Sequence, residues 1–268
     1  MSLCVSTWNW LKPMGEAARL PSALEEAAAG GFGVELWLDW TAEPGCFDRD
    51  RWPDLKRACR RAAGLSLHSR LIHRFDLDTI REEIDLAEFL GADPLVVHPR
   101  SLGLEAGTWD AELSAPLDGP ALERIGSILE HARRRSVRLA LENGALDLLA
   151  AVAAAFPAGG PDGVGDSLGI CIDVGHANLH RARYVDPAGL FLRTFADRLI
   201  HLHVSDNDGT GDQHLVPGTG AIDWRSVAEI LHGIRYRGNV VLELAEPDSF
   251  GVARRAAAAL ASFGVGTG

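Results

Sequence analysis

Short apolar runs recur along the chain, and segments with a helical period separate them. The runs do not alternate strictly between apolar and polar residues, which is typical of parallel strands covered on both faces. Among the separating segments, Asp78–Leu90 has the clearest amphipathic pattern, because Ile80, Ile84, Ala87 and Leu90 fall on one face. The predicted strands are Leu3–Thr7, Val34–Trp37, Leu65–His68, Leu95–His98, Val137–Leu141, Leu168–Ile172, Leu199–His203 and Val240–Leu244.

The predicted helices carry end signals. A glycine directly after the last apolar position favours the left-handed turn that closes a helix. Asp223, just before Trp224, is a predicted N-cap, because its carboxylate can accept from the free backbone N–H groups of the first turn. The helices that end at a glycine are Glu16–Ala29 before Gly30, Arg51–Ala63 before Gly64 and Ile80–Leu90 before Gly91.

Eight strand–helix units in 268 residues predict a (β/α)8 TIM barrel, with residues 1–268 as a single domain. The alternative is a doubly wound open sheet, which the absence of a glycine-rich fingerprint after the first strand disfavours. Two connections, Pro99–Pro120 and Val204–Ile222, are longer than a simple turn. In a barrel both follow strands at the C-terminal face, so we expect them to border the active site.

Composition narrows the classes of function. The chain has 26 Lys plus Arg against 37 Asp plus Glu, and the resulting net charge of -11 repels nucleic-acid backbones. No apolar stretch reaches the ~20 residues that span a bilayer, and no signal peptide opens the chain. The four cysteines form no C-x-x-C pair. We therefore expect a cytoplasmic protein. Only two lysines and no P-loop motif occur, which argues against Schiff-base aldolases and P-loop nucleotidases.

Metal-competent side chains cluster at the predicted strand ends. Because the carboxyl ends of barrel strands meet at one opening, we expect these groups to converge there. Converging carboxylates and imidazoles would repel one another or remain desolvated without a cation, so the pattern predicts a divalent metal site. The residues are His68, His98, Glu142, Asp173, His176, His203, Asp212, His214 and Glu243.

Each of these residues also has a plainer interpretation. A single histidine at the end of an apolar run is more often hydrogen-bonded than a ligand, and Asp173 is a reasonable cap for the next helix. Glu142 and Glu243 are harder to explain in this way, because a glutamate within an apolar run is rarely buried unless it is paired. The remaining histidines are interpreted as surface or packing residues that point away from the site: His73, His131, His180, His201 and His232.

Several short motifs carry these residues in chain order. They are His98-Pro99, Leu141-Glu142-Asn143, Asp173-Val174-Gly175-His176, and His201–Asn207 followed by Asp212-Gln213-His214, Gly218-Thr219-Gly220 and Glu243. With these motifs, and from Leu3 to about Phe263, the chain resembles the xylose isomerase-like barrel superfamily. That superfamily contains sugar isomerases and epimerases, hydroxypyruvate isomerase, inosose dehydratase and type IV apurinic endonucleases.

The resemblance implies a metal-dependent enzyme. It assigns one divalent ion to Glu142, Asp173, His203 and Glu243, a set compatible with Mn²⁺, Mg²⁺, Co²⁺ or Zn²⁺. The endonuclease members hold three zinc ions and add ligands at positions that match His68, His98, His176, Asp212 and His214. Because all of these residues are present, the sequence leaves open whether one ion or up to three are bound.

On the isomerase or epimerase interpretation, Glu142 and Glu243 form the catalytic pair. One glutamate removes the proton α to the carbonyl of a sugar or sugar phosphate, and the other returns it after a metal-stabilised enediolate has formed. By the resemblance, His176 contacts a substrate oxygen. Further candidate substrate contacts are His68, His98, Arg100, Trp8, Trp37 and His214, with Trp10, Trp40 and Arg70 at neighbouring strand ends.

Other functions remain open. A multinuclear zinc phosphoesterase of the type IV apurinic endonuclease kind would use the same residues, with Glu142 as a bridging ligand, although the negative net charge disfavours a nucleic-acid substrate. An inosose-type dehydratase and a non-catalytic sugar-binding barrel are further alternatives.

One departure from the resemblance concerns the loop after the seventh strand. Ketose 3-epimerases carry an arginine about half a dozen residues after the seventh-strand histidine, whereas this loop reads Asp206-Asn207-Asp208-Gly209-Thr210. Epimerisation of free ketoses at carbon 3 is therefore in doubt, although the wider class is not. We expect the protein to bind a small sugar or sugar phosphate and not to bind a membrane. Because paired barrels are common among the relatives, we also expect a homodimer or homotetramer.

Overall fold

The computed structural model describes residues 1–8, 20–38, 47–104, 117–246 and 249–265. The strands are β1 Ser2–Ser6, β2 Gly33–Trp37, β3 Leu65–His68, β4 Leu95–Val97, β5 Leu139–Glu142, β6 Leu168–Asp173, β7 Leu199–Val204 and β8 Asn239–Leu242. All neighbouring pairs are parallel, and β8 pairs back with β1, so the eight strands close into a barrel in chain order. The predicted (β/α)8 TIM barrel is therefore confirmed.

Helices connect the strands. Those in the described ranges are α1 Leu20–Ala29, α2 Trp52–Cys59, α3 Leu77–Leu90, α4 Gly119–Arg134, α5 Leu146–Ala155, α6 Val174–Asn178, α7 Pro187–Thr194, α8 Trp224–Gly233 and α9 Ser249–Phe263. Short 3-10 helices lie at Arg49–Arg51, Pro99–Leu102, Val164–Ser167 and Leu179–Ala182. None of the helices in these ranges combines the length and the apolar character needed to cross a membrane.

Helix ends follow the predicted signals at several points. Asp223 caps α8, because its Oδ1 accepts from the backbone N–H groups of Arg225 and Ser226 at 3.1 Å each. Gly91 closes α3 with a φ of 75°. The prediction of a helix over Arg51–Ala63 was too long, since α2 ends at Cys59. The backbone N–H of Ala63 already donates to Phe32 O, so the chain has turned toward β2 at that point.

Inward and outward positions alternate along each strand. The outward side chains pack under the helices, and Leu36, Leu67, Leu141, Leu202 and Leu242 are completely buried there. Residues one position before or after them point into the barrel. This alternation determines which polar side chains reach the interior and the opening at the carboxyl ends.

Candidate active site

The predicted strand-end residues converge at the carboxyl end of the barrel. Trp37 is paired in register with His68, and Asp173 with His203. Glu142 ends β5, and Glu243 directly follows β8 instead of lying inside a longer strand. The side chains brought together within one contact network are those of His68, His98, Glu142, Asp173, His176, His203 and Glu243.

His203 lies between the two glutamates that the sequence singles out. Its Nδ1 atom is 3.6 Å from Glu142 Oε2 and 3.7 Å from Glu243 Oε2. The ligand atoms of Asp173, His203 and Glu243 lie within 4.8 Å of one another, and all three side chains are buried. The four residues assigned to a single divalent ion therefore meet at one place, although they are far apart along the chain.

The hydrogen bonding of Asp173 and His203 indicates whether this group of side chains could bind a cation. Asp173 Oδ1 accepts from His176 N at 2.8 Å and caps α6, so the plainer interpretation of Asp173 accounts for one of its oxygens. Asp173 Oδ2 and His203 Nδ1 are buried and form no hydrogen bond within the described part of the chain. Buried polar atoms are normally satisfied, so these two atoms and the adjacent carboxylates fit a divalent metal ion.

Glu142 is surrounded by imidazoles on its other sides. Its Oε2 atom lies 3.3 Å from His68 Nε2 and 3.0 Å from His98 Nε2, and the two imidazole nitrogens are 3.3 Å apart. Its Oε1 atom lies 3.1 Å from His176 Nδ1. Glu142 thus joins the proposed single-ion group to the residues predicted as additional ligands.

A further group lies in the loop after β7. Asp212 Oδ2 is 2.9 Å from His214 Nε2 and 3.4 Å from His176 Nε2. The other ring nitrogen of His214, Nδ1, is 3.0 Å from Glu243 O, and Ala245 N donates to His214 O. The sequence prediction that these residues lie together is consistent with this geometry, and their role stays a prediction.

The buried carboxylate of Asp206 holds this loop in place. Its Oδ2 atom accepts from Gly218 N at 2.8 Å and from the indole N–H of Trp224 at 2.9 Å. The backbone of Asp206 also forms an antiparallel bridge with Leu215. The loop that carries Asp212 and His214 is therefore fixed at its base.

The charges of the site shift the pKa values of its residues in opposite directions. Burial alone raises the pKa of Glu142, but the charges of His98 and His203 and the hydrogen bond from His176 outweigh it and hold that pKa well below its usual range. Burial raises the pKa of Asp173 to about 6, because the charge of His176 compensates only in part. Burial lowers the pKa of His203, but the surrounding anionic groups raise it well above its ordinary value.

Two of the predicted aromatic contacts, Trp8 and Trp37, lie beside histidines of the site. Trp37 stacks on His68 at 4.0 Å between ring centroids, and its indole N–H donates to Glu243 Oε1 at 3.1 Å. The Trp8 ring lies 4.3 Å from that of His214. Both tryptophans are buried, whereas Arg100 is exposed. Trp10 and Trp40 lie outside the described residues.

Sequence analysis missed Glu35. This residue is completely buried inside the barrel, where its Oε2 atom accepts from His201 Nε2 at 2.7 Å and from Ser66 Oγ at 2.9 Å. Its Oε1 atom lies 3.0 Å from His203 Nε2. The interpretation of His201 as pointing away from the site was wrong, because it shares the inward face of β7 with His203. A glutamate inside the apolar run Val34–Trp37 was the available signal.

The chain is similar to several known proteins. A solved D-tagatose 3-epimerase-like protein has a TM-score of 0.71 at 23% identity, with 98% of this chain and 97% of that chain covered, which shows the shared fold. A Thermus thermophilus protein whose crystals were soaked with ZnCl2 has a TM-score of 0.65 at 26% identity, with 96% and 98% covered. The D-psicose 3-epimerase of Enterocloster bolteae is 32% identical over 83 residues, 31% of this chain and 25% of that protein.

The chain spans about half the length of the first curated relatives that it matches, with 57% and 50% of their lengths covered. A family model described as xylose isomerase-like TIM barrel matches residues 23–263. That range contains seven of the eight strands and the whole ligand network described above. The chain belongs to the xylose isomerase-like TIM barrel family.

Proposed function

We propose that the chain is a divalent-metal-dependent isomerase or epimerase of sugars or sugar phosphates that transfers a proton α to a carbonyl. The observation that carries this proposal is the pair of buried glutamates, Glu142 and Glu243, which lie 3.6 and 3.7 Å from the same atom, His203 Nδ1. Two carboxylates that face a shared space can remove a proton from one position of a substrate and deliver it to another.

The metal would be held by Glu142, Asp173, His203 and Glu243. The orphaned Asp173 Oδ2 and His203 Nδ1 support this assignment. When bound, a divalent cation supplies Lewis-acid polarisation of the substrate carbonyl. Three carboxylates and one imidazole suit Mn²⁺, Mg²⁺, Co²⁺ or Zn²⁺, so the ligand types do not select one of these metals.

The residues of the chain would divide the remaining tasks. Glu243 moves the proton, and the indole N–H of Trp37 holds its Oε1 atom in position. His176 contacts a substrate oxygen, and its own position is fixed by Glu142 and Asp212. The other residues proposed to contact the substrate are His68, His98, His214, Trp8, Trp37 and Arg100.

Similar proteins support the substrate class. Among them are the D-psicose 3-epimerase and the D-tagatose 3-epimerase-like protein, both named for ketose epimerisation. The β7 loop lacks the arginine expected of free-ketose 3-epimerases. Phosphorylated and otherwise modified sugars are therefore included in the proposal.

The test is isotope exchange in deuterated water. The protein is reconstituted with Mn²⁺ and incubated with ketoses, keto-inositols and phosphorylated sugars, and proton NMR follows the hydrogen next to the carbonyl. We expect deuterium at that carbon for at least one substrate, without exchange in the metal-free protein. Exchange with loss of water would assign a dehydratase, and no exchange together with hydrolysis of a phosphodiester would contradict the proposal.

A second candidate function is a zinc phosphoesterase. The observation that favours it is the histidine set around Glu142, since His68 and His98 both lie within 3.3 Å of Glu142 Oε2. Asp212 and His214, which lie 2.9 Å apart, would be the further ligands of a multinuclear site. The net charge of -11 disfavours a nucleic-acid substrate. Elemental analysis distinguishes the candidates: one metal per chain favours the isomerase, and two or three zinc ions favour the phosphoesterase.

A further inference from the structure

A second layer of polar side chains lies beneath the proposed metal ligands. Alternation along the strands places Glu35 two residues before Trp37, Ser66 two residues before His68 and His201 two residues before His203. Glu35 and Ser66 are paired in register across β2 and β3. These residues are completely buried, so no solvent compensates the charge of the Glu35 carboxylate.

The two oxygens of Glu35 have different partners. The Oε2 atom accepts from both His201 Nε2, at 2.7 Å, and Ser66 Oγ, at 2.9 Å. The Oε1 atom lies 3.0 Å from His203 Nε2, within ion-pair distance, and neither atom forms a hydrogen bond within the described part of the chain. Oε1 is therefore the anionic atom nearest to this side of the imidazole.

We propose that Glu35 is a positioning residue that determines, through His203, how tightly the site binds its metal. The inference rests on the metal site of the proposed function. An anionic oxygen beside Nε2 favours the tautomer with its proton on Nε2, which leaves the lone pair on Nδ1. Nδ1 is the atom that faces Glu142 and Glu243.

Glu35, His201 and His203 do not fit a metal site of their own. Their ligand atoms lie within 4.8 Å of one another, which is close enough to consider an ion. The 2.7 Å separation of Glu35 Oε2 and His201 Nε2, however, is a hydrogen-bond length. Ser66 Oγ donates to the same Oε2 atom at 2.9 Å, so this oxygen is already satisfied by two hydrogen bonds. The lower layer is therefore a hydrogen-bonded support for the upper one.

Burial explains why the carboxylate needs this arrangement. An ionised carboxylate in a dry interior is strongly destabilising unless it is paired and hydrogen-bonded. Ser66 and His201 stabilise the charge through hydrogen bonds to Oε2. Glu35 can then face His203 as an anion without direct contact with the proposed metal.

The test compares Glu35→Gln with Ser66→Ala, the control that removes a hydrogen bond from the opposite oxygen of the same carboxylate. Zinc affinity is measured by competition with a chelator. We expect Glu35→Gln to weaken zinc binding by about 10- to 100-fold, the usual effect of losing an outer partner of a metal-bound histidine, and Ser66→Ala to change it little. Glu35→Asp keeps the charge but withdraws it from His203 by one methylene group, so it is expected to bind zinc more tightly than Glu35→Gln and less tightly than the unmodified protein. If Glu35→Gln does not fold, equal zinc affinity of Glu35→Asp and the unmodified protein contradicts the inference.

Imidazole NMR gives a readout that a merely structural role would not change. In the zinc-loaded protein, long-range proton–nitrogen spectra should show His203 with its proton on Nε2, and Glu35→Gln should shift or broaden that signal more than Ser66→Ala does. Unchanged zinc affinity and an unchanged His203 signal in Glu35→Gln would overturn the inference while leaving the proposed function intact. Failure of the unmodified protein to bind zinc, manganese or cobalt would overturn both.

Discussion

Glu142 and Glu243 lie at nearly equal distances from His203 Nδ1, 3.6 and 3.7 Å, but their surroundings differ. Glu142 contacts imidazoles with both oxygens, including those of His68 and His176. Glu243 directs one oxygen toward His203 and receives the indole N–H of Trp37 on the other. Two buried glutamates thus differ in their partners, because Glu142 faces four imidazoles whereas Glu243 faces the imidazole of His203 and a neutral indole N–H.

The difference suggests a division of labour. Imidazoles that carry positive charge favour the ionised form of Glu142, and the lowered pKa of this residue agrees with a permanent ligand. Glu243 Oε1 accepts from the neutral indole N–H of Trp37, which restricts the orientation of the carboxylate without adding a charge. We therefore expect Glu142 to act mainly on the metal and Glu243 mainly on the proton.

The largest expected effect belongs to Glu243→Gln. The amide keeps the shape of the side chain but cannot accept the substrate proton, so turnover should fall by about 10³-fold, within the usual range for loss of a general base. Deuterium exchange at the substrate carbon measures this, with circular dichroism as the check on folding. Full exchange in this variant would show that Glu243 does not transfer the proton and would contradict the proposed roles of the two glutamates.

Glu142→Gln is expected to act on metal binding first. The substitution removes an anionic ligand and the partner of several imidazoles, so zinc affinity should fall by more than the ~10- to 100-fold expected for an outer partner. Chelator competition gives this value, and saturating metal should restore part of the activity. If activity is lost while zinc affinity stays unchanged, the roles of the two glutamates are reversed.

Lowering the pH should weaken metal binding. The pKa of Asp173 is raised to about 6 and that of His203 well above its ordinary value, so both groups hold protons in the metal-free protein under mildly acidic conditions. A metal must displace these protons. As the pH falls through 6, affinity should therefore drop by at least about tenfold per pH unit, because each displaced proton contributes about a factor of ten. Zinc titrations between about pH 5 and 8 test this, and a flat profile would contradict the assignment of Asp173 and His203 as ligands.

The smallest effect is expected from Trp37→Phe. Phenylalanine keeps an aromatic ring beside His68 but removes the N–H that holds Glu243 Oε1. We expect turnover to fall by about tenfold, roughly 1.4 kcal/mol, near the lower end for a hydrogen bond to a charged group. Trp52→Phe is the matched control, because that indole donates to Phe47 O away from the site. Equal losses in the two variants would indicate a packing effect alone.

The barrel could be predicted from the sequence because its signals are local and repeated. Apolar runs gave the eight strands to within a few residues, and Asp223 and Gly91 marked helix ends where the structure has them. The strand ends also predicted which candidate ligands lie close together, because the carboxyl ends of all eight barrel strands meet at one opening. The end of α2 was misplaced because the chain leaves the helix in local turns directly after Cys59, where no glycine or proline marks the end, and then contacts Phe32 through Ala63.

The orientation of individual side chains was not predictable in the same way. Trp37 and Glu243 are 206 positions apart, and their hydrogen bond depends on side-chain rotamers that no local pattern encodes. Glu35 is a different case. A glutamate within an apolar run drew attention at Glu243 but not in Val34–Trp37, and the i, i+2 spacing of His201 and His203 should have placed both histidines inside the barrel.

The bridge between Asp206 and Leu215 separates the base of the β7 loop from its tip. His214 is fastened at the base by the backbone of Glu243 and Ala245, whereas Asp208 and Thr210 lie exposed at the tip. Added residues at the tip would carry only a small entropic cost, since loop-closure entropy rises slowly with length. The tip of the loop can therefore change in length while His214, held at the base, keeps its place.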